Sequence, residues 1–440
     1  MKKTGPLYNI KMVSKETGLT PATLRAWERR YGIPHPVRSS GGQRLYSEED
    51  ISLLKWLVAR KKEGMSISRA ISLWKTREIH PSVETNVSDM SSEPVRSSGE
   101  NEQILENLHK VWSRACLTFN EEEANFAINK ALEISTPELV CTQVIQKGLA
   151  AIGKGWYTGK VSVQQEHFAS ALATRHLNKL MESTPIPHDS DRILLICPPE
   201  EAHELVLLML SFLLRRRGWN TTFLGANTPL EKLDSVIHST MPKLVLSAAQ
   251  TLPAAASLLK LAGTVNKQSV PFAFGGGIFN DIKGLSQRIP GFFIGRNLES
   301  APRVIELLLM QHPYSSETQP LPSNYLNSLE GFKRHKGNIM NRINQILSFH
   351  SFPSFQLELA NTHFIPGVIA ALSLGDIHFL DYLKKWLDGL LKNYGLPSSL
   401  ISQYYLAFQQ AVQEQMDNKE NPILEWLSVL KPVGQEGISE

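Results

Sequence analysis

The sequence predicts a multidomain chain with four parts. These are a winged helix-turn-helix head, a four-helix bundle, an α/β domain on a doubly wound parallel sheet, and an extra all-α C-terminal region. Three observations lead there. The chain has 440 residues, too many for one hydrophobic core. Between residues 190 and 312 short apolar runs alternate with helix-period segments, which is the pattern of βαβ units. On either side of that stretch, apolar residues recur at helical spacing.

Bulk properties narrow the class. No run of eighteen apolar residues occurs, so no transmembrane helix is expected. Lysines near the N-terminus are not followed by an apolar segment, so no secretory signal is expected. Cys116, Cys141 and Cys197 lie far apart without a CxxC pair, which suggests neither a disulfide framework nor a zinc site and fits a reducing cytoplasm. The net charge of +4 is unevenly divided: residues 1–77 hold 16 Lys/Arg against 6 Asp/Glu, and the remainder is net negative. A basic module on an acidic body points to a nucleic-acid partner for that module alone.

The head occupies residues 1–77. Tyr8 to Thr17 reads as a short helix ended by Gly18. Thr20 is then an N-cap and Pro21 the first residue of a second helix through Thr23, Arg25, Trp27 and Arg29. Two short helices joined by a glycine turn form a helix-turn-helix, whose second helix enters the major groove. Val37 to Tyr46 reads as a hairpin, or wing, with Gly41-Gly42 at its tip. Ser47, followed by Glu48, Glu49 and Asp50, starts a third helix. Residues 78–101 are polar and Ser-rich, the composition of a flexible linker.

Residues 102–186 carry Ile104, Leu105, Leu108, Val111 and Trp112 at helical spacing, and read as a four-helix bundle. Within it, Trp156 stands between Gly155 and Gly159, which suits a helix end. Glu166 and His167 follow it as W-x9-E-H. Residues 190–312 form the Rossmann-like domain. Its first strand, Ile193 to Ile196, breaks at Pro198-Pro199, and Glu201-Ala202-His203 follows before a helix. His203 therefore belongs at the carboxyl end of a strand, where such sheets open a ligand crevice. An imidazole there can bind a metal, and Glu201 can orient the ring. Ser247 and Gly275-Gly276-Gly277 end two later strands with small residues, leaving room for a bulky group. No GxGxxG follows the first strand, so a dinucleotide is disfavoured. Residues 313–324 read as a Pro-containing linker, and 325–440 as helices with no catalytic constellation.

Two resemblances sit on these residues. Leu24 to Ile33, with Arg38, Gly42, Arg44-Leu45-Tyr46-Ser47 and Asp50, closely resembles the winged-helix head of the MerR family. That implies binding of double-stranded operator DNA as a dimer, with Thr23, Arg25 and Arg29 from the recognition helix and Arg44 and Tyr46 from the wing. A bundle with W-x9-E-H before a Rossmann-like domain with E-x-H, Ser and Gly-Gly resembles the cobalamin-binding module. Behind a MerR-type head, it resembles the CarH/LitR class of B12-dependent photoreceptor repressors. The resemblance implies His203 as the lower axial ligand of cobalt in place of the dimethylbenzimidazole tail. It implies that the tail lies along Ser247 and Gly275 to Gly277, and that Trp156, Glu166 and His167 cover the adenosyl face. Expected with it is a cytoplasmic, non-enzymatic repressor whose homo-oligomer, dimer or tetramer, responds to adenosylcobalamin and to light. Two positions differ from the family pattern: Val206 replaces a glycine three residues after the histidine, and Tyr157 stands beside the tryptophan. They support an alternative, a cobalamin-independent regulator governed by a protein partner, for which the C-terminal region is one candidate site. A corrinoid methyl-carrier protein is a second alternative.

Overall fold

The computed structural model describes residues 8–31, 33–34, 36–38, 43–62, 99–187, 191–311, 320–349, 352–416 and 419–429. The chain forms two compact units, one built on Met1–Pro94 and the other on Val95–Pro185, Arg192–Arg216 and Thr221–Glu440.

The first unit contains β1 (Tyr8–Asn9), α1 (Ile10–Thr17), α2 (Pro21–Tyr31), β2 (Val37–Arg38), β3 (Arg44–Tyr46) and α3 (Glu48–Lys62). Gly18 ends α1 in the left-handed region, donating its N–H to the Ser14 carbonyl. The Thr20 hydroxyl accepts from the Thr23 N–H at 3.1 Å, the expected cap of α2. Ser47 and Asp50 cap α3 reciprocally: the Asp50 N–H donates to the Ser47 hydroxyl at 3.2 Å, and the Ser47 N–H to the Asp50 carboxylate at 2.9 Å. β3 pairs antiparallel with both β1 and β2, which supplies the two arms of the wing. The wing tip, Gly41-Gly42, lies outside the described residues. Val13, Leu24, Trp27, Ile33, Tyr46, Leu54 and Leu57 form the core.

The second unit begins with a four-helix bundle: α4 (Gly99–Leu117), α5 (Glu121–Ile134), a third helix, and α8 (Val163–Glu182). The third helix starts as α6 (Pro137–Leu139), continues through a π-helical stretch (Val140–Gln146) and finishes as α7 (Lys147–Tyr157). Trp112 is fully buried between them, and Ile104, from the same stripe, is exposed.

The α/β domain follows: β4 (Arg192–Ile196), α9 (Leu205–Arg216), β5 (Asn220–Phe223), α10 (Leu233–Thr240), β6 (Leu244–Ala248), α11 (Leu252–Lys267), β7 (Phe272–Gly275), α12 (Ile278–Asp281), a 3-10 turn (Leu285–Arg288), β8 (Phe292–Phe293) and α13 (Ala301–Gln311). The strand order is β5-β4-β6-β7-β8, with β4–β6, β6–β7 and β7–β8 parallel. Chain order reverses between β4 and β6, so the ligand crevice of this fold opens beyond their carboxyl ends. Every residue of α9 from Leu207 to Leu214 is buried, since this helix packs on the sheet, on α8 of the bundle and on α13. Cover on several sides explains why the whole helix is apolar.

The C-terminal region comprises α14 (Ser323–Ser348), α15 (Ser354–Leu374), α16 (Phe379–Asn393), α17 (Ser398–Gln415) and α18 (Pro422–Val429). It does not hang free. Leu258 and Leu261 of α11 belong to one hydrophobic cluster with Phe364, Val368 and Leu383 of the C-terminal helices. Among the described residues, α15 is the one helix long and apolar enough to cross a membrane, and more than half of that stretch is buried in this shared core. The three cysteines are free and buried, and burial pushes each thiol up to about 12.

In the bundle, His176 is buried with its Nε2 2.8 Å from the Asn125 side-chain oxygen, and burial lowers its pKa to about 4. The imidazole is thus held neutral in the fold, while the unfolded chain takes up a proton below the ordinary value of about 6.5. The stability associated with the neutral ring is complete above about pH 6.5 and is lost as the pH falls towards 4. Thermal melts at pH 7 and pH 4.5 are expected to show a fall in Tm that is visibly smaller in a His176→Gln variant.

Candidate functional site

The crevice at the end of β4 is organised by a buried carboxylate. After Ile196 the chain passes through Pro198-Pro199 and reaches Glu200, whose φ of 68° turns it back. Glu201, only 1% exposed, then points into the loop. One carboxylate oxygen accepts the His203 backbone N–H at 2.8 Å and the ring Nδ1 at 2.6 Å. The other accepts the Gln250 N–H at 2.6 Å. A carboxylate accepts only, so the His203 proton sits on Nδ1 and Nε2 is left as the free lone pair. The His203 side chain is 61% exposed, which leaves that nitrogen open to a ligand. The hydrogen bond to Glu201 holds the imidazole pKa above its ordinary value, against the opposing effect of burial, and the Glu166 charge adds to the rise.

The same network reaches the glycine loop. The Gln250 side-chain oxygen accepts the Gly277 N–H at 2.9 Å, so Glu201, Gln250 and Gly277 link the loops after β4, β6 and β7. Ser247 is buried, and its hydroxyl donates to the Ile196 carbonyl at 2.5 Å, tying β6 to β4 at the switch point. Gly276 has a φ of +119°, and a Cβ there would fall 2.0 Å from the Ala249 carbonyl oxygen. No side chain fits. Sequence reasoning reached Glu201, His203, Ser247 and the glycines but missed Gln250, which carries no signal beyond its place just after a strand end.

On the bundle side, Trp156 is half-buried in the last turn of α7, and Gly159 leaves that helix at a φ of +70°. Glu166 and His167 occupy the first turn of α8, behind a capping box formed by Ser162 and Gln165. Glu166 accepts the Ser170 hydroxyl at 2.7 Å, and His167 is exposed. The Trp156 ring lies 6.4 Å from that of Trp386, on α16.

In the head, Arg25 is exposed on α2, and the Thr23 hydroxyl lies 2.8 Å from that of Thr20. The Arg29 side chain lies outside the described residues. Arg44 reaches from the wing to Glu28 on α2, with Nε 2.6 Å from the carboxylate, and both remain partly exposed. Tyr46 departs from expectation: it is fully buried in the head core and presents no contact surface. Strand alternation accounts for this, because Arg44 and Tyr46 share one face of a short β3 and only the arginine is long enough to reach solvent from it.

Residues 8–75 match the family described as "MerR HTH family regulatory protein", and residues 108–180 match "B12 binding domain". The HTH-type transcriptional repressor CarA of Myxococcus xanthus is 33% identical over 239 residues, covering 54% of this chain and 74% of that protein. The repressor CarH of the same organism is 28% identical over 238 residues, covering 54% and 77%. The monomethylamine corrinoid protein of Methanosarcina barkeri is a far more distant structural likeness, with 15% identity and a TM-score of 0.40 over 47% of this chain and 99% of that one.

Two glycines separate the strain of the site loop from its packing. Gly276 and Gly284 both have positive φ, but nothing lies within 4 Å of a Cβ at Gly284. Gly284→Ala is expected to cost about 1 kcal/mol from backbone strain alone. Gly276→Ala is expected to cost clearly more, measured as the difference in urea midpoint between the two variants.

Proposed function

This chain belongs to the family of MerR-type, cobalamin-binding transcriptional repressors that includes CarA of Myxococcus xanthus, and from that premise we propose that adenosylcobalamin controls its assembly and its affinity for operator DNA. The observation that carries the reading is the anchored His203, with Nδ1 fixed by a buried carboxylate and Nε2 open. That is the arrangement a lower axial ligand to cobalt needs: one tautomer, one orientation, and a basic free nitrogen. The loop of Gly275–Gly277 carries no side chain that would bar the displaced nucleotide tail, and buried Ser247 ties β6 to β4 beneath it. Trp156, Glu166 and His167 stand on the bundle side, where they would cover the upper face. When bound, adenosylcobalamin supplies a cobalt–carbon bond that light can cleave.

In this reading the protein's own residues perform three tasks. Glu201 fixes the orientation and tautomer of the His203 ring and makes the free Nε2 more basic. The bundle closes over the crevice, so the contact between bundle and sheet depends on what lies between them. The heads, brought together by oligomerisation of the bodies, grip the two half-sites of a two-fold operator in the cytoplasm. Arg25, Arg29, Thr23 and Arg44 contact the duplex, with Arg44 held by Glu28 at the base of the wing. Tyr46 supports the wing from within. The C-terminal region offers a surface for a protein partner.

Size-exclusion chromatography with absorbance detection, on protein mixed with adenosylcobalamin in the dark and after green light, tests the reading. A corrinoid spectrum should co-elute with a larger species that comes apart on illumination. His203→Ala should weaken uptake and change the spectrum while leaving the far-UV CD unchanged. An identical spectrum would remove His203 as the ligand. Co-elution without a response to light would leave a cobalamin sensor, and absence of co-elution would favour a regulator governed by a protein partner.

On the DNA side, Arg44→Ala is expected to weaken binding to all sequences and to lower the slope of log K against log salt by about one. Fluorescence anisotropy at several salt concentrations reads this directly, and unchanged affinity would exclude Arg44 from the interface.

A further inference from the structure

The helix α16 is fastened to both halves of the cobalamin site. Its Trp386 ring stacks on Tyr157 at 5.9 Å and 30°, and lies against Trp156 at 6.4 Å and 33°. The Tyr157 hydroxyl donates to the Trp386 carbonyl at 3.2 Å, and the Asn393 side-chain amide donates to the Tyr157 carbonyl at 2.6 Å. A Cβ at Gly389 would lie 2.0 Å from the Tyr157 hydroxyl, so α16 has a notch where that ring enters. One turn before Trp386, the Tyr382 hydroxyl donates to Asp281 at 3.0 Å, on the short helix that follows the glycine loop. Behind Trp386, His363 stands edge-on at 5.0 Å. These contacts hold the end of α7 from one side and the loop after β7 from the other.

We propose that Trp386 is a positioning residue for the upper face of the cofactor: it sets the plane of Trp156 and makes the C-terminal helices part of the wall against which the upper axial group packs. This rests on the reading that the crevice binds cobalamin. It also gives Tyr157 a role. One of the two positions where the family pattern differs is the one α16 uses as its anchor on the bundle.

The proposal separates cofactors by their upper ligand. Adenosylcobalamin carries a bulky group that reaches the wall, while hydroxocobalamin does not, and both share the lower face at His203. Full-length protein is titrated in the dark with each, followed by absorbance and by tryptophan fluorescence. Trp386→Ala is expected to raise the Kd for adenosylcobalamin about tenfold, the scale of one lost aromatic contact, and to leave hydroxocobalamin binding within about twofold. Trp386→Phe should restore most of the loss. Gly389→Ala, which drives a methyl group into the Tyr157 anchor, should reproduce the selective defect in a chain that keeps the indole. Equal weakening of both cofactors in all three variants, or no weakening in any, would overturn the proposal. Failure of the unmodified protein to bind either cobalamin would instead reject the cobalamin reading, and the role of Trp386 with it.

Discussion

The carboxylate of Glu201 is the constraint on which the crevice depends. A charge buried to 1% exposure is tolerated only if its oxygens are fully engaged. Here three N–H donors from two loops supply that engagement, and one of them is the imidazole itself. The cost of leaving the carboxylate unpaired therefore becomes a restoring force on the His203 ring. Ser247, bridging to the Ile196 carbonyl, keeps β6 and β4 in step where both loops depart. Gln250 passes the constraint on to the glycine loop. The site is thus assembled from three strand ends that hold one another, and no single loop could form it alone.

A second constraint comes from the C-terminal helices. They share a continuous core with the α/β domain, with α15 packed on α11, while α16 reaches across to the bundle. The bundle also packs directly on α9 through α8. The bundle is therefore held at two places, on α9 through α8 and on α16 through the Trp156–Tyr157 turn. A change in what the crevice contains must be accommodated at both.

Much of this was legible in the sequence because it follows local rules. Gly18, Thr20, Pro21 and Ser47 mark helix boundaries through backbone geometry and orphan N–H groups, and these depend on near neighbours alone. Alternating strands and helices announce a parallel sheet for a similar reason. The pairing of Glu201 with His203 is two residues long and could be read directly. What could not be read depends on distant partners. Tyr46 carries a polar group and stands in a basic wing, yet packing of α1, α2 and α3 takes its ring into the core. Trp386 belongs to an ordinary helical stripe, and nothing near it in the chain points to Trp156 or Tyr157, some 230 residues earlier. Gln250 is likewise set by where β6 lies beside β4.

A ligand can shift an assembly only by the difference in its affinity for two arrangements. His203 alone cannot provide that difference, because the Glu201 network fixes its ring within the α/β domain whatever the bundle does. The discriminating contacts would lie between bundle and crevice, and the bundle turn at Trp156 is the part that α16 holds. In a chain without C-terminal helices, the bundle would be free to respond to the contents of the crevice by itself. Here α16 holds the Trp156–Tyr157 turn by stacking and by two hydrogen bonds, so any movement of the bundle must also break or carry that helix. The state of the crevice is then felt in the C-terminal core, and by reciprocity whatever binds the C-terminal helices is felt in the crevice.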